Sequence, residues 1–238
     1  MRRKLIGCEI ICRELCHALA RSPFAVDAEF LPKALHDLGG RAMREHLQSS
    51  IDSVDESLYD TILIGYGLCG NGADGLIPRG IPLVIPRAHD CIAMLMGSAD
   101  AYQKYFADHP GAYYRSTGWL ERGQDLQPFT PGSAHTLDDL IEKYGEDNGR
   151  YLYEELTGYK QTYNQLTYIR TGLEPDDSFE TKAREEAARS KWNYERFEGN
   201  TGVFERLLSG DWNDREFLVV PPGKRIRARY DGTIMAAI

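Results

Sequence analysis

The stretch that decides the fold is Pro82-Leu83-Val84-Ile85-Pro86, an apolar run followed at once by Arg87-Ala88-His89-Asp90-Cys91. A short apolar run of this length is typical of a strand buried on both faces of a sheet. Polar residues directly after such a strand lie on the loop at its carboxyl end, where α/β proteins place their chemistry. The sequence therefore predicts a buried strand with functional groups at its end.

Two other predicted strands are followed by cysteine in the same way. Residues 61–65 form an apolar run that leads into the glycine loop 65–72, which contains Cys69, and residues 4–7 lead into Cys8. The carboxyl ends of parallel strands meet at one edge of a sheet, so we expect three thiols and the imidazole of His89 at that edge.

Apolar runs and amphipathic stretches alternate along the chain, which indicates parallel βαβ units. The fold class is α/β, with two Rossmann-like parallel-sheet lobes (residues 1–115 and 116–238) and a cleft between them. Residues 111–136 are predicted to cross between the lobes. The predicted strands cover residues 4–7, 26–31, 61–65, 82–85, 166–171, 194–197 and 217–220, and the predicted helices 9–20, 32–51 in two pieces, 92–109, 137–157, 179–192 and 202–208.

The composition restricts the classes of partner. The net charge of −8, from 36 acidic and 28 basic residues, argues against a broad surface for nucleic acid or anionic membrane. The apolar stretch after the basic start is too short for a signal-peptide core or a membrane span. Five cysteines without an export signal indicate a reducing cytoplasm, in which they are free thiols or metal ligands.

Cys8, Cys69, His89 and Cys91 are the predicted metal ligands, because three sulfurs and a nitrogen suit zinc or another thiophilic ion. His89 and Cys91 can reach one ion because residues two apart in extended chain point the same way. The alternative for each cysteine is packing as a small buried apolar group. Cys12 and Cys16 continue a spacing of four from Cys8, and core packing is the default interpretation for both.

Two acidic residues next to these cysteines leave alternatives open. Asp90 either orients His89 through a hydrogen bond or caps a helix that begins near Cys91. Glu9 either stabilises the start of the first helix or takes part in catalysis.

The glycine loop and a nearby arginine form the predicted ligand-binding group, consisting of Gly67, Gly70, Asn71 and Arg87. Backbone N–H groups of such a loop bind anions, and a guanidinium presents a planar donor fork to carboxylate or phosphate. The ligand is expected to be a small molecule, anionic or a thiol. A dinucleotide is disfavoured, because no convincing helix follows the loop and the phosphate-loop lysine is missing.

As a set, several motifs spread over most of the chain resemble an uncharacterised family, the domain of unknown function 1638. The resemblance rests on Gly7-Cys8-Glu9, Leu35-His36, Leu47-Gln48, the loop 65–72, residues 86–91, Gly97-Ser98, Tyr102 and Thr117-Gly118-Trp119. It implies that Cys8, Cys69, His89 and Cys91 are characteristic positions of the family. It also adds His36 as a residue near the predicted metal site. Members occur largely in methanogens and other anaerobes, often near corrinoid-dependent methyltransferases. The resemblance therefore implies a connection with a corrinoid methyltransferase system.

Three functional hypotheses follow. The first is a metal-dependent enzyme of one-carbon or thiol metabolism, in which zinc activates a thiol; the His-x-Cys pair with a distant cysteine is similar to the zinc site of thiol-alkylating methyltransferases. The second is a non-catalytic accessory protein that binds a metal, corrinoid or small ligand. The third is a cysteine nucleophile, Cys69, with His89 as its base and no metal.

Overall fold

A computed structural model describes residues 2–33, 35, 39–122, 140–142, 145–157 and 163–238 of the chain, which form a mixed α/β fold. The strands are β1 Arg2–Cys8, β2 Ala25–Leu31, β3 Thr61–Gly65, β4 Leu83–Pro86, β5 Ala112–Ser116, β6 Gln165–Arg170, β7 Asn193–Glu198, β8 Phe217–Val220, β9 Ile226–Ala228 and β10 Met235–Ala237. The helices are α1 Cys12–Leu19, preceded by a 3-10 turn Glu9–Ile11, α2 Gly39–Asp52, α3 Cys91–Leu95, α4 Ala99–Asp108, α5 Thr117–Arg122, α6 Glu146–Thr157, α7 Ser178–Ser190 and α8 Gly202–Ser209.

The larger sheet has five strands in the order β2-β1-β3-β4-β8. The first four are parallel, as the sequence predicts, and β8 is antiparallel to β4. Strand β2 lies on one side of β1, and β3 and β4 lie on the other side. The direction in which the chain adds strands therefore reverses between β1 and β3. In doubly wound sheets the crevice at such a reversal, outside the carboxyl ends of the strands, is the usual ligand site.

The core lies around the central strands of this sheet. Every residue of β3 and β4 is buried, which is the pattern of strands covered on both faces. Helix α1 places Leu15 against the glycines at the ends of β1 and β3, where a side chain at Gly7 or Gly65 would collide with it. Helix α1 also packs against α8, which contacts β3 and β4.

A second sheet contains β5, β6 and β7, all parallel and in that order. Its small core consists of Leu166, Tyr168, Ala183 and Ala187. Strand β5 falls where the sequence predicts a crossing segment, and that prediction was wrong for residues 112–116. The strand reads Ala-Tyr-Tyr-Arg-Ser, so no apolar run identifies it.

Two further predictions need correction. The strand at 217–220 has the predicted bounds, but it joins the larger sheet rather than a second lobe. The single helix predicted over 92–109 is two helices, because Gly97 has a φ of 94° and the Ser98 side chain accepts a hydrogen bond from the Ala101 N–H to begin α4. The division of the chain at residue 115 stays a prediction, and it cuts through β5.

None of the helices in the described ranges is long and apolar enough to cross a membrane.

Gly118 of α5 lies very close to the backbone of the 3-10 turn after β1. A Cβ on this residue of α5 would lie 1.7 Å from the carbonyl oxygen of Ile10, in the 3-10 turn after β1. We expect Gly118→Ala to lower the free energy of unfolding by about 3 kcal/mol, because the backbone must move apart to admit a methyl group. Chemical denaturation measures the change. Gly232→Ala is the matched control, since a Cβ there meets nothing within 4 Å; equal stability of the two variants would contradict the close approach.

Candidate functional site

Three cysteines converge at the carboxyl edge of the larger sheet. Cys8 is the last residue of β1, Cys69 lies in the loop after β3, and Cys91 is the first residue of α3, after β4. All three side chains are buried, with 1%, 8% and 4% of their residue surface exposed. The charge of Cys8 acts on the pKa of Cys69, and Cys69 and Cys8 both act on the pKa of Cys91. We call these residues the thiol cluster.

Burial keeps the cluster uncharged when nothing is bound. It raises the pKa of Cys8 to about 11, and it raises the pKa values of Cys69 and Cys91 as well, with repulsion between the sulfurs adding to the effect. At neutral pH all three groups are therefore thiols.

Each sulfur nevertheless faces a hydrogen-bond donor that favours its thiolate form. The N–H of Ile10 and the hydroxyl of Tyr66 lower the pKa of Cys8. The N–H groups of Gly67 and Cys91 lower that of Cys69, and the indole of Trp119 lowers that of Cys91. Donors of this kind stabilise negative charge on sulfur.

The loop that carries Cys69 has an unusual backbone. Cys69, Gly70 and Asn71 all have positive φ, at 46°, 61° and 66°. A left-handed cysteine costs energy and persists because its neighbours hold it in place. Here the N–H of Cys69 donates to the carbonyl of His89 at 2.8 Å, which joins the loop to the chain after β4.

Gly67 has a packing role in this arrangement. A Cβ at Gly67 would lie 2.8 Å from the Ala88 carbonyl and from the Asp90 N–H nitrogen. The glycine is thus needed for the loops after β3 and β4 to approach each other. Its predicted role in binding a ligand stays a prediction, as do those of Gly70 and Asn71.

A buried lysine lies beside the cluster. Lys33 is 2% exposed, its Nζ is 5.5 Å from the centre of the Trp119 ring, and its charge lowers the pKa of Cys8. Glu9 holds this region together, because it accepts a hydrogen bond from the Lys33 N–H at 2.6 Å and pairs with Arg122 at 3.2 Å. Sequence reasoning missed Lys33, Tyr66 and Trp119 as neighbours of the cysteines, although Tyr66 and Trp119 belong to motifs of the family resemblance.

Asp90 and His89 have different surroundings. The Asp90 carboxylate accepts a hydrogen bond from the Ala93 N–H at 3.1 Å and caps α3, so the capping alternative is confirmed. Burial raises the Asp90 pKa, and its bonds to backbone N–H groups oppose the shift. His89 is exposed. It lines an open cavity of about 640 Å³, together with residues that include Gly70, Asn71, Gln103, Arg229 and Asp231.

Arg87 is engaged with the backbone of the C-terminal region. Its guanidinium donates to the carbonyl oxygens of Asp214 at 2.9 Å and Thr233 at 3.0 Å, and also to those of Phe217 and Met235. These bonds fasten the end of β4 to β8 and β10. The Arg87 guanidinium thus already has backbone partners, and its predicted role in binding an anion stays a prediction.

The predicted metal site stays a prediction, and one residue predicted to lie near it cannot be placed. Within the described ranges, no group of three or more His, Cys, Asp or Glu side chains is already arranged as a metal site. His36, the neighbour added by the family resemblance, lies outside the described residues.

The comparison with protein families identifies the class. Residues 30–208, about three quarters of the chain, match the family described as "Protein of unknown function (DUF1638)". The chain belongs to this family. No curated protein and no solved structure matches it. The match contains Cys69, His89 and Cys91, whereas Cys8 precedes it.

The burial of the thiol cluster predicts selective alkylation of the metal-free, reduced protein. We expect iodoacetamide at pH 8 to modify exposed Cys16 first and half-buried Cys12 next, while Cys8, Cys69 and Cys91 react only after unfolding. Peptide mass spectrometry measures the labelling rate at each position. Labelling of Cys91 in the folded protein as fast as that of Cys16 would contradict the described burial.

Proposed function

We propose that the protein is a metal-dependent enzyme of thiol or one-carbon metabolism, in which Cys8, Cys69 and Cys91 hold zinc or another thiophilic ion. The observation that supports this proposal is the convergence of three buried thiols at the reversal point of the sheet, each facing a donor that favours its thiolate form. Catalytic zinc sites commonly have three protein ligands and one open position.

The donor set suits such an ion, although the sulfurs need to be drawn together around it. Burial raises the pKa values of all three thiols, so a bound cation supplies the compensation that the protein alone lacks. Three thiolates around a divalent ion carry a net charge of −1. The buried cation Lys33, whose charge acts on Cys8, offsets that excess.

When bound, a thiophilic ion keeps a substrate thiol ionised and nucleophilic at neutral pH. The residues of the chain would position the reacting groups. Tyr66 and the backbone N–H groups of Ile10, Gly67 and Cys91 fix the sulfurs, and Trp119 covers Cys91. In this proposal His89 serves the neighbouring cavity, since it is exposed at its wall.

The substrate is proposed to be a small thiol with an anionic group, bound in the cavity beside the Cys69 loop. The cavity is lined by polar side chains that include His89, Asn71, Gln103 and Arg229. The two carboxylates at the wall have internal partners: Asp90 caps α3, and Asp231 accepts from the N–H and hydroxyl of Thr233. Arg229 is the cationic side chain at this wall, and its guanidinium presents a planar donor fork to a carboxylate or phosphate.

The other hypotheses remain outcomes of the tests below. A binding protein without catalysis would use the same thiols, and the proposed arrangement of two lobes with a cleft would serve either function. A Cys69 nucleophile is less well supported, because burial raises the pKa of Cys69 and leaves little thiolate at neutral pH.

Metal analysis of anaerobically purified protein tests the first part of the proposal. The protein should carry the substitutions Cys12→Ser and Cys16→Ser, so that Cys8, Cys69 and Cys91 are its only thiols. We expect one equivalent of zinc or another thiophilic metal, and we expect Cys91→Ser in this background to lose it, because two thiolates cannot hold a buried ion tightly.

The starting double variant is itself the matched control, since it already carries two Cys→Ser changes. Elemental analysis gives the stoichiometry, and circular dichroism checks that each variant is folded. A double variant that is folded and metal-free, and that takes up no zinc when zinc is supplied, would overturn the proposed metal site and leave the thiol nucleophile.

Binding of a simple mercapto-carboxylate tests the second part. With Co²⁺ in place of the native ion, we expect 3-mercaptopropionate to change the sulfur-to-cobalt charge-transfer absorption, because its thiol enters an open coordination position. Arg229→Ala should weaken this binding by about tenfold, the loss of one charged hydrogen bond. Lys224→Ala is the control, an exposed cation outside the cavity lining. Binding without a spectral change would favour the non-catalytic binding protein.

A further inference from the structure

Cys12 and Cys16 lie one helical turn apart on α1, and their sulfur atoms are 3.8 Å from each other. Cys16 is exposed and Cys12 is partly exposed. The interpretation of both residues as core packing was therefore wrong for Cys16. Residues four apart on a helix share one face, at a rise of about 6 Å, so the two side chains reach the same point at the surface.

We infer that Cys12 and Cys16 form a second, surface site that chelates a thiophilic ion through two thiolates. A tetrahedral ion with sulfur bonds of ~2.3 Å separates two sulfur ligands by about 3.8 Å. The two sulfurs already have this separation, so the pair needs little rearrangement to bind. The site is distinct from the thiol cluster, because Cys8 is buried at the end of β1 and is not part of α1.

The charges around the pair act in opposite directions. Burial and the neighbouring Cys16 raise the pKa of Cys12 to about 11, and the positive charge of Arg122 opposes that rise. The negative charge of Glu121 adds to the rise, but Glu121 is paired with Arg13, which donates to both carboxylate oxygens at 2.9 Å and 2.7 Å. Glu121 is thus held in an ion pair. A bound cation supplies the compensation that allows both sulfurs to ionise.

Two protein ligands leave the other coordination positions to water or to a small thiol. Binding of a divalent ion forms two metal–sulfur bonds and releases the two thiol protons to solvent, with no change of oxidation state. A two-thiolate site at the surface exchanges its ion readily with other ligands, whereas a buried three-thiolate site exchanges slowly. The rate of metal release therefore separates the two sites.

Zinc transfer to a chromophoric chelator tests the inference, using full-length protein that is reduced, anaerobic and loaded with Zn²⁺ alone. Wild-type protein is expected to release one equivalent in a fast phase. The double variant Cys12→Ser with Cys16→Ser should lose that phase, and Cys16→Ser alone should lose it too, because one thiol cannot chelate. Both positions are at least partly exposed, so these variants are expected to fold.

Cys91→Ser is the matched control, because it changes a thiol of the buried cluster and leaves α1 intact. It is expected to keep the fast phase and lose any slow one. A fast phase of the same amplitude in wild type and in the double variant would overturn the inference. If the thiol cluster binds no metal, wild-type protein lacks the slow phase. The fast phase still tests the Cys12–Cys16 site in that case.

Discussion

β1 and β3 lie side by side in parallel register, with Gly7 opposite Gly65, and the positions of all the groups discussed above depend on that pairing. The order of strands reverses between these two, which is the point where doubly wound sheets usually bind ligands. Cys8 follows Gly7 directly, and Tyr66 follows Gly65 directly. Leu15 of α1 packs over both glycines, which holds α1 against the ends of these strands.

The thiol cluster illustrates how burial and hydrogen bonding act in opposite directions on one group. Burial holds the pKa values of the sulfurs high, while N–H and O–H donors around them favour the ionised form. A protein that only packed its cysteines would have no need of a donor at each sulfur. In our proposal a bound thiophilic ion resolves this opposition, because its charge compensates the buried thiolates.

Strand β4 and its loop were predictable because their signal is local. An apolar run of this length, bounded by turn residues, identifies the buried strand, and the polar residues after it identify the loop at its carboxyl end. The capping role of Asp90 was likewise one of two local alternatives. Trp119 and Lys33 gave no such signal, because they reach the cluster from α5 and from the chain after β2, far apart in sequence. Strand β5 was missed because its side chains are aromatic and polar rather than apolar.

The sequence by itself determined the succession of strands and helices that forms parallel βαβ units. It also determined that cysteines stand at the ends of three strands and that a glycine loop follows β3. Each of these features depends on residues close together in the chain. Only the tertiary structure decided that β8 joins the larger sheet, that Arg87 binds backbone carbonyls of the C-terminal region, and that His89 faces a cavity. It also placed the sulfurs of Cys12 and Cys16 at the surface. These outcomes depend on which distant segments cover a given residue, and burial by distant segments leaves no periodicity in the sequence around that residue.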